Sequence, residues 1–195
     1  MNGEELLLGF DGRVWGNSDT WDAKRREGFL LRTDVVQPLS TDTTVWPALL
    51  DSSLRPPACM GYQTLWNDLE CLQSSLVSSA SSSFATIAVT LRLINDASEA
   101  DLWRAEVPTT IPALRAETWS LLGYDVSDKW LLSGLSNCGF LPGENAQALK
   151  EKWSDKLNDH HLFDTLDSAM EFRAVSDERA VEHSPFFVFG IWSKR

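Results

Sequence analysis

A chain of 195 residues that is 43% hydrophobic and 23% charged has the balance of one globular domain, which excludes a fibrous or disordered chain. Its formal charge of −11 repels phosphate backbones and anionic membranes, so neither is expected as a partner. No stretch reaches the ~20 apolar residues of a membrane helix, and the acidic start Met1-Asn2-Gly3-Glu4-Glu5 predicts no secretory signal and a cytoplasmic location.

In chain order, Leu6 to Phe10 and Phe29 to Val36 are short apolar runs between Gly9, Gly12, Gly28 and Pro38, and predict strands. Leu65, Leu69, Leu72 and Leu76 make one apolar stripe at helical spacing and predict a helix over 62–77. It runs into the serine cluster Ser74 to Ser83, where serine hydroxyls compete for backbone hydrogen bonds. Phe84 to Ile94 alternates an apolar face (Ala85, Ile87, Val89, Leu91, Leu93) with a mixed one (Phe84, Thr86, Ala88, Thr90, Arg92), as a strand with one covered face would.

Pro112 and Gly123 fit the first turn and the stop of a helix. Asp125, with Asp128 three residues on, suits the cap of another helix, with Val126, Trp130 and Gly134 along one ridge. Glu144 to Asn158 predicts an amphipathic helix with Ala146, Leu149, Trp153 and Leu157 inward. Its outer side carries Glu144, Glu151 and Asp155, a row that Asp159 would extend. A last helix is predicted over much of 166–181, ended by Pro185, and Phe186 to Trp192 reads as a central buried strand beside Phe84–Ile94. The expected fold is one α+β domain over residues 1–195, with an antiparallel or mixed sheet packed against several helices concentrated in the C-terminal half.

Catalytic patterns are missing. Gly134 to Gly139 has neither GxGxxG spacing nor a Walker lysine, and neither GxSxG nor HExxH occurs. Cys59, Cys71 and Cys138 form no CxxC pair and are expected as reduced, mostly buried thiols. Cys138 with a distant histidine would be a nucleophile and base only if the fold joined them. His161 and Asp164 would share a helical face as metal ligands, but no second ligand pair has matching spacing, so no cofactor or metal is expected. His183 is either a general base oriented by Asp177 or Glu182, or a structural hydrogen-bonding group at the end of the last helix, which is the plainer reading. The carboxylate pairs Asp177/Glu178 and Asp164/Asp167 are neighbours expected among 28 acids.

Nine tryptophans are scattered without period. Most are expected in the core, while Trp15, Trp21 and Trp46, beside Gly, Asn, Asp and Pro, are candidates for exposed interface anchors. Exposed indoles would also suit a carbohydrate platform. From Asp96 to Asp128 seven acids (Asp96, Glu99, Asp101, Glu106, Glu117, Asp125, Asp128) face two bases (Arg104, Arg115), a field that attracts a basic protein.

An acidic chain of this size, without catalytic motifs and with aromatic anchors, resembles in general character the bacterial immunity proteins that block a toxin made by the same cell. Segments such as 123–126, 134–139 and 182–186 have the look of family fingerprints, and no functional residue is carried over. The resemblance implies an acidic surface plugging a basic active site. The alternatives are an enzyme built on Cys138 or His183, and a phage or host accessory protein.

Overall fold

The computed structural model describes residues 5–14, 59, 61–63, 65–77, 84–92, 101, 103, 105, 107, 114, 118–131, 133–134, 153, 155–158, 160 and 162–194. Six elements follow in order: strand β1 (Glu5–Val14), helix α1 (Leu69–Val77), strands β2 (Phe84–Arg92) and β3 (Trp119–Ser127), helix α2 (Leu166–Arg179) and strand β4 (Phe187–Lys194). The arrangement is α+β, with one four-stranded antiparallel sheet in the order β1-β2-β4-β3. The apolar run of β4 lies beside β2, as its sequence predicts, and Phe187 to Ile191 are all buried. The chain divides into two compact units, Met1–Val14, Thr43–Leu121 and Gly190–Arg195 in the first, Trp15–Asp42 and Leu122–Phe189 in the second.

In the first unit, β1 and β2 pair antiparallel from Glu5↔Arg92 to Val14↔Phe84, with a bulge between Leu7 and Gly9. The alternation in β2 is visible in the packing. Ile87, Val89 and Leu91 are buried on one face, while Ala88 on the other joins a cluster with Leu7, Phe10, Trp66, Leu72 and Trp119. Thr90 shares that second face, and its hydroxyl donates to the Gly190 carbonyl (3.4 Å) and accepts from Trp192 Nε1 (2.9 Å), so burying it leaves no hydrogen bond unmade.

The segment before α1 departs from its helical spacing. The helix begins at Leu69 rather than at Tyr62, capped by Asp68, whose carboxylate accepts the amides of Glu70 (2.7 Å) and Cys71 (2.9 Å). Upstream, Gly61 N donates to Leu65 O and Leu65 N to Tyr62 O, both at 2.9 Å, closing a tight turn. Trp66 then exchanges two 2.8 Å backbone hydrogen bonds with Phe10. Leu65 is buried as predicted, but by this bridge and not by a helical face. The bridge needs Gly9, because a Cβ there would lie 2.6 Å from the Trp66 carbonyl oxygen and φ is +153°. The same reversal brings the Cα atoms of Cys59 and Cys71 within 6.3 Å, and the two are joined as a disulfide. The expectation of reduced thiols is thereby corrected for this pair, and Cys138 lies outside the described residues.

In the second unit, residues 122–127 belong to a strand and not to a helix end. Gly123 does not stop a helix. It sits in β3 with φ +150°, where a Cβ would meet Leu162 Cβ at 2.7 Å and the Phe163 oxygen at 2.9 Å. That closeness lets Tyr124 and Phe163 exchange hydrogen bonds of 2.9 and 2.8 Å. The predicted ridge of Val126, Trp130 and Gly134 is likewise corrected: Val126 is buried in β3 and Trp130 stands on a turn.

The predicted helix over 144–158 fails at its C-terminal end. Trp153 is helical, but Asp155 and Lys156 form a turn and Leu157 bridges Phe163. Asn158 holds the reversal: its carbonyl oxygen accepts the amides of His160 (2.9 Å) and Leu162 (3.3 Å), and its amide donates to Leu122 O (2.7 Å).

Helix α2 matches its predicted extent closely. Thr165 caps it by accepting from Ser168 N at 3.2 Å, and Ala169, Phe172 and Ser176 face inward. Phe172 packs with Trp153 and Phe163 at centroid separations of 5.1 Å each, and Trp153 meets Phe163 edge-on at 6.0 Å. Rings buried this deeply contribute about 1.5–3 kcal/mol each to the core of this unit.

Candidate functional site

Two buried carboxylates end β3. Asp125 holds its own strand end together, accepting Val126 N (2.8 Å), Ser127 Oγ (3.2 Å) and Ser133 Oγ (2.7 Å). Asp128, 0% exposed, organises a second group. One oxygen accepts Trp130 N at 2.8 Å, and the other lies 3.0 Å from His183 Nδ1.

That pair latches two tight turns. Leu131 N donates to Asp128 O (3.0 Å), which puts Lys129 and Trp130 at the corners of one turn. His183 N donates to Ala180 O (2.9 Å), which puts Val181 and Glu182 at the corners of the other. All four corner residues are exposed, Trp130 to 51% and Val181 to 71%. Lys129 Nζ lies 4.2 Å from the Trp130 ring centroid.

His183 therefore has an orienting carboxylate, but neither of the two proposed from sequence. Asp177 instead accepts Ser184 Oγ (2.8 Å) and Phe186 N (2.7 Å) and pairs with Arg173 at 3.7 Å. Glu182 is exposed. The hydrogen bond at the end of the last helix is present, with Asp128 as its partner. A carboxylate on Nδ1 leaves Nε2 as the outward nitrogen, the geometry of a general base. Among the described residues no hydroxyl or thiol hydrogen-bonds that imidazole, so the arrangement stops at a base and its orienting acid.

No family model, curated protein or solved structure matches this chain.

Of the predicted contact residues, Trp15, Trp21, Trp46, Glu144, Glu151 and Asp159 lie outside the described residues. Asp155 is exposed, in a turn and not on a helical ridge. Acidic exposure is instead found on α2, where Asp167, Glu171 and Glu178 follow one another at steps of four and seven on the side away from Ala169, Phe172 and Ser176. Asp164, just before the helix, is exposed as well. Lys156 pairs with Glu171 and lies 4.9 Å from the Trp153 ring centroid, so one carboxylate of the row is partly neutralised. Of the suggested metal ligands, His161 lies outside the described residues and Asp164 accepts from Asn158 Nδ2 at 3.3 Å. Among the described residues no three His, Cys, Asp or Glu side chains are grouped to hold a metal ion. Among them, too, no helix is long and apolar enough to cross a membrane.

Sequence reasoning missed both Asp128 and Trp130 as site residues. Asp128 and His183 are 55 positions apart, and only strand and helix packing brings them together.

Proposed function

We propose that this chain is a binding protein that neutralises a basic partner by direct contact, as an immunity protein does with a toxin made by the same cell. The observation that supports it is the outward row of α2, with Asp167, Glu171 and Glu178 on a helix whose opposite face is fixed by buried Phe172. Carboxylates held on a rigid element steer a cationic protein and speed its encounter, while exposed aromatics hold the complex. In this reading the C-terminal half carries several helices against the sheet. Glu144, Glu151, Asp155 and Asp159 add to the acidic surface, and Trp15, Trp21 and Trp46 to the aromatic contacts.

Affinity capture from producing cells, run in parallel with wild type and the Asp167→Lys/Glu178→Lys chain, tests the proposal. Recovery of a basic protein by wild type, with association that slows as salt rises, is the expected result. Equal recovery by both chains would sink it. The proposed location is the cytoplasm, where a reducing pool would open Cys59–Cys71. Fractionation of producing cells tests the location, and recovery from an oxidising compartment, where Cys59–Cys71 stays closed, would overturn it.

The Asp128–His183 pair favours a second reading, a hydrolase with His183 as general base. Its test is turnover of simple ester and amide substrates that His183→Ala abolishes.

A further inference from the structure

The turn from Asp128 to Leu131 already accommodates a cation. Lys129 Nζ stands 4.2 Å from the centroid of the Trp130 ring, although half of that residue is open to water. The negative face of an indole attracts ammonium and guanidinium groups alike, and more strongly once water is displaced. The neighbouring turn, fixed by the 3.0 Å contact of His183 with Asp128, presents Val181 and the carboxylate-bearing Glu182. An exposed electron-rich ring suits a guanidinium better than an ammonium. Guanidinium is planar, weakly hydrated and stacks on aromatic faces.

We propose that the Trp130 ring is the centre of a contact surface whose occupant is an arginine side chain of a basic protein, seated over the indole in the place Lys129 now holds. The inference rests on the reading of this chain as a binder of a basic partner, and it locates the contact. Lys129 is then an internal competitor. Removing it vacates the ring face and withdraws a like charge from the incoming arginine.

The probe is a hexa-arginine peptide, with hexalysine for comparison. Affinity is measured by calorimetry, and position by the NMR shift of the Trp130 indole N–H. Hexa-arginine is expected to bind more tightly than hexalysine and to move the Trp130 signal. Trp130→Leu keeps an apolar group at an exposed position while removing the ring, and should weaken hexa-arginine binding about three- to fivefold, the scale of one cation–π contact. Lys129→Gln should strengthen it by about the same factor, beyond the change produced by Lys194→Gln, which removes one positive charge elsewhere. Unchanged thermal midpoints establish that the variants fold. Wild-type binding by Trp130→Leu, or equal effects of the two lysine substitutions, would overturn the proposal. If Asp167→Lys/Glu178→Lys weakens binding while the Trp130 and Lys129 variants change nothing, the acidic-surface reading stands and this contact is wrong. If no variant changes binding, both fall.

Discussion

Replacing Asp128 by alanine removes one buried carboxylate from two donors at once, the Trp130 amide at 2.8 Å and His183 Nδ1 at 3.0 Å. Hydrogen bonds to a charged group contribute about 1.5–3 kcal/mol each. Both donors belong to partly exposed residues and regain some water, so the lower end applies and the expected loss is about 3 kcal/mol. Asp128→Asn should cost far less, about 1 kcal/mol. Its carbonyl oxygen still accepts Trp130 N–H, and its amide donates to Nδ1 once the imidazole moves its proton to Nε2. Equilibrium urea unfolding at constant slope measures both losses, and the nitrogen shifts of His183 report the change of tautomer. A double-mutant cycle of Asp128→Ala with His183→Ala isolates the pair, with an expected coupling of about 1–2 kcal/mol. A loss below about 1 kcal/mol for Asp128→Ala, or strictly additive single losses, would refute the idea that this carboxylate joins the two turns.

Gly9→Ala and Gly123→Ala should each cost about 2 kcal/mol or more, because a Cβ at either place meets backbone oxygen below 3 Å and φ is positive; urea midpoints read this, and hydrogen exchange should show the Trp66 and Phe163 amides losing protection first. Among the described residues the buried Ser176 Oγ has no hydrogen-bond partner, so Ser176→Ala should raise stability by about 1 kcal/mol, and a fall would mean that the hydroxyl does have a partner. Opening Cys59–Cys71, which spans 12 positions, should lower stability by about 3 kcal/mol on chain-entropy grounds, measured as the difference between urea midpoints with and without reductant.

The strands that sequence reveals are those whose pattern is local. β2 shows its alternation and β4 its continuous apolar run, and both stand close to their predicted limits. Helix α2 is equally legible, lying within the predicted 166–181 and ending before Pro185. The failures share one cause. Gly123 looks like a helix stop until Leu162 and Phe163 are placed against it, and Leu65 looks like part of a leucine stripe until Trp66 is bridged to Phe10. In each case a contact made across many positions overrides a plausible local pattern. The site was less legible still. Its acid was assigned to a helix cap and its exposed tryptophan to a helix ridge, and nothing near Asp128 in the chain announces His183. The acidic character was readable from composition, but its place on α2 depended on which face Phe172 buries.

The bridges of Phe10 with Trp66 and of Tyr124 with Phe163 carry a consequence for how other chains approach. β1 and β3 are the terminal strands of the sheet, and each bridge occupies the side away from its sheet neighbour. An incoming strand that tried to lengthen the sheet would have to displace a paired backbone segment whose side chain, Trp66 or Phe163, is buried. Strand addition is a common route both to ordered fibres and to peptide recognition, and among the described residues each terminal strand carries one such bridge. A partner strand would therefore meet an already occupied backbone at Phe10 and at Tyr124.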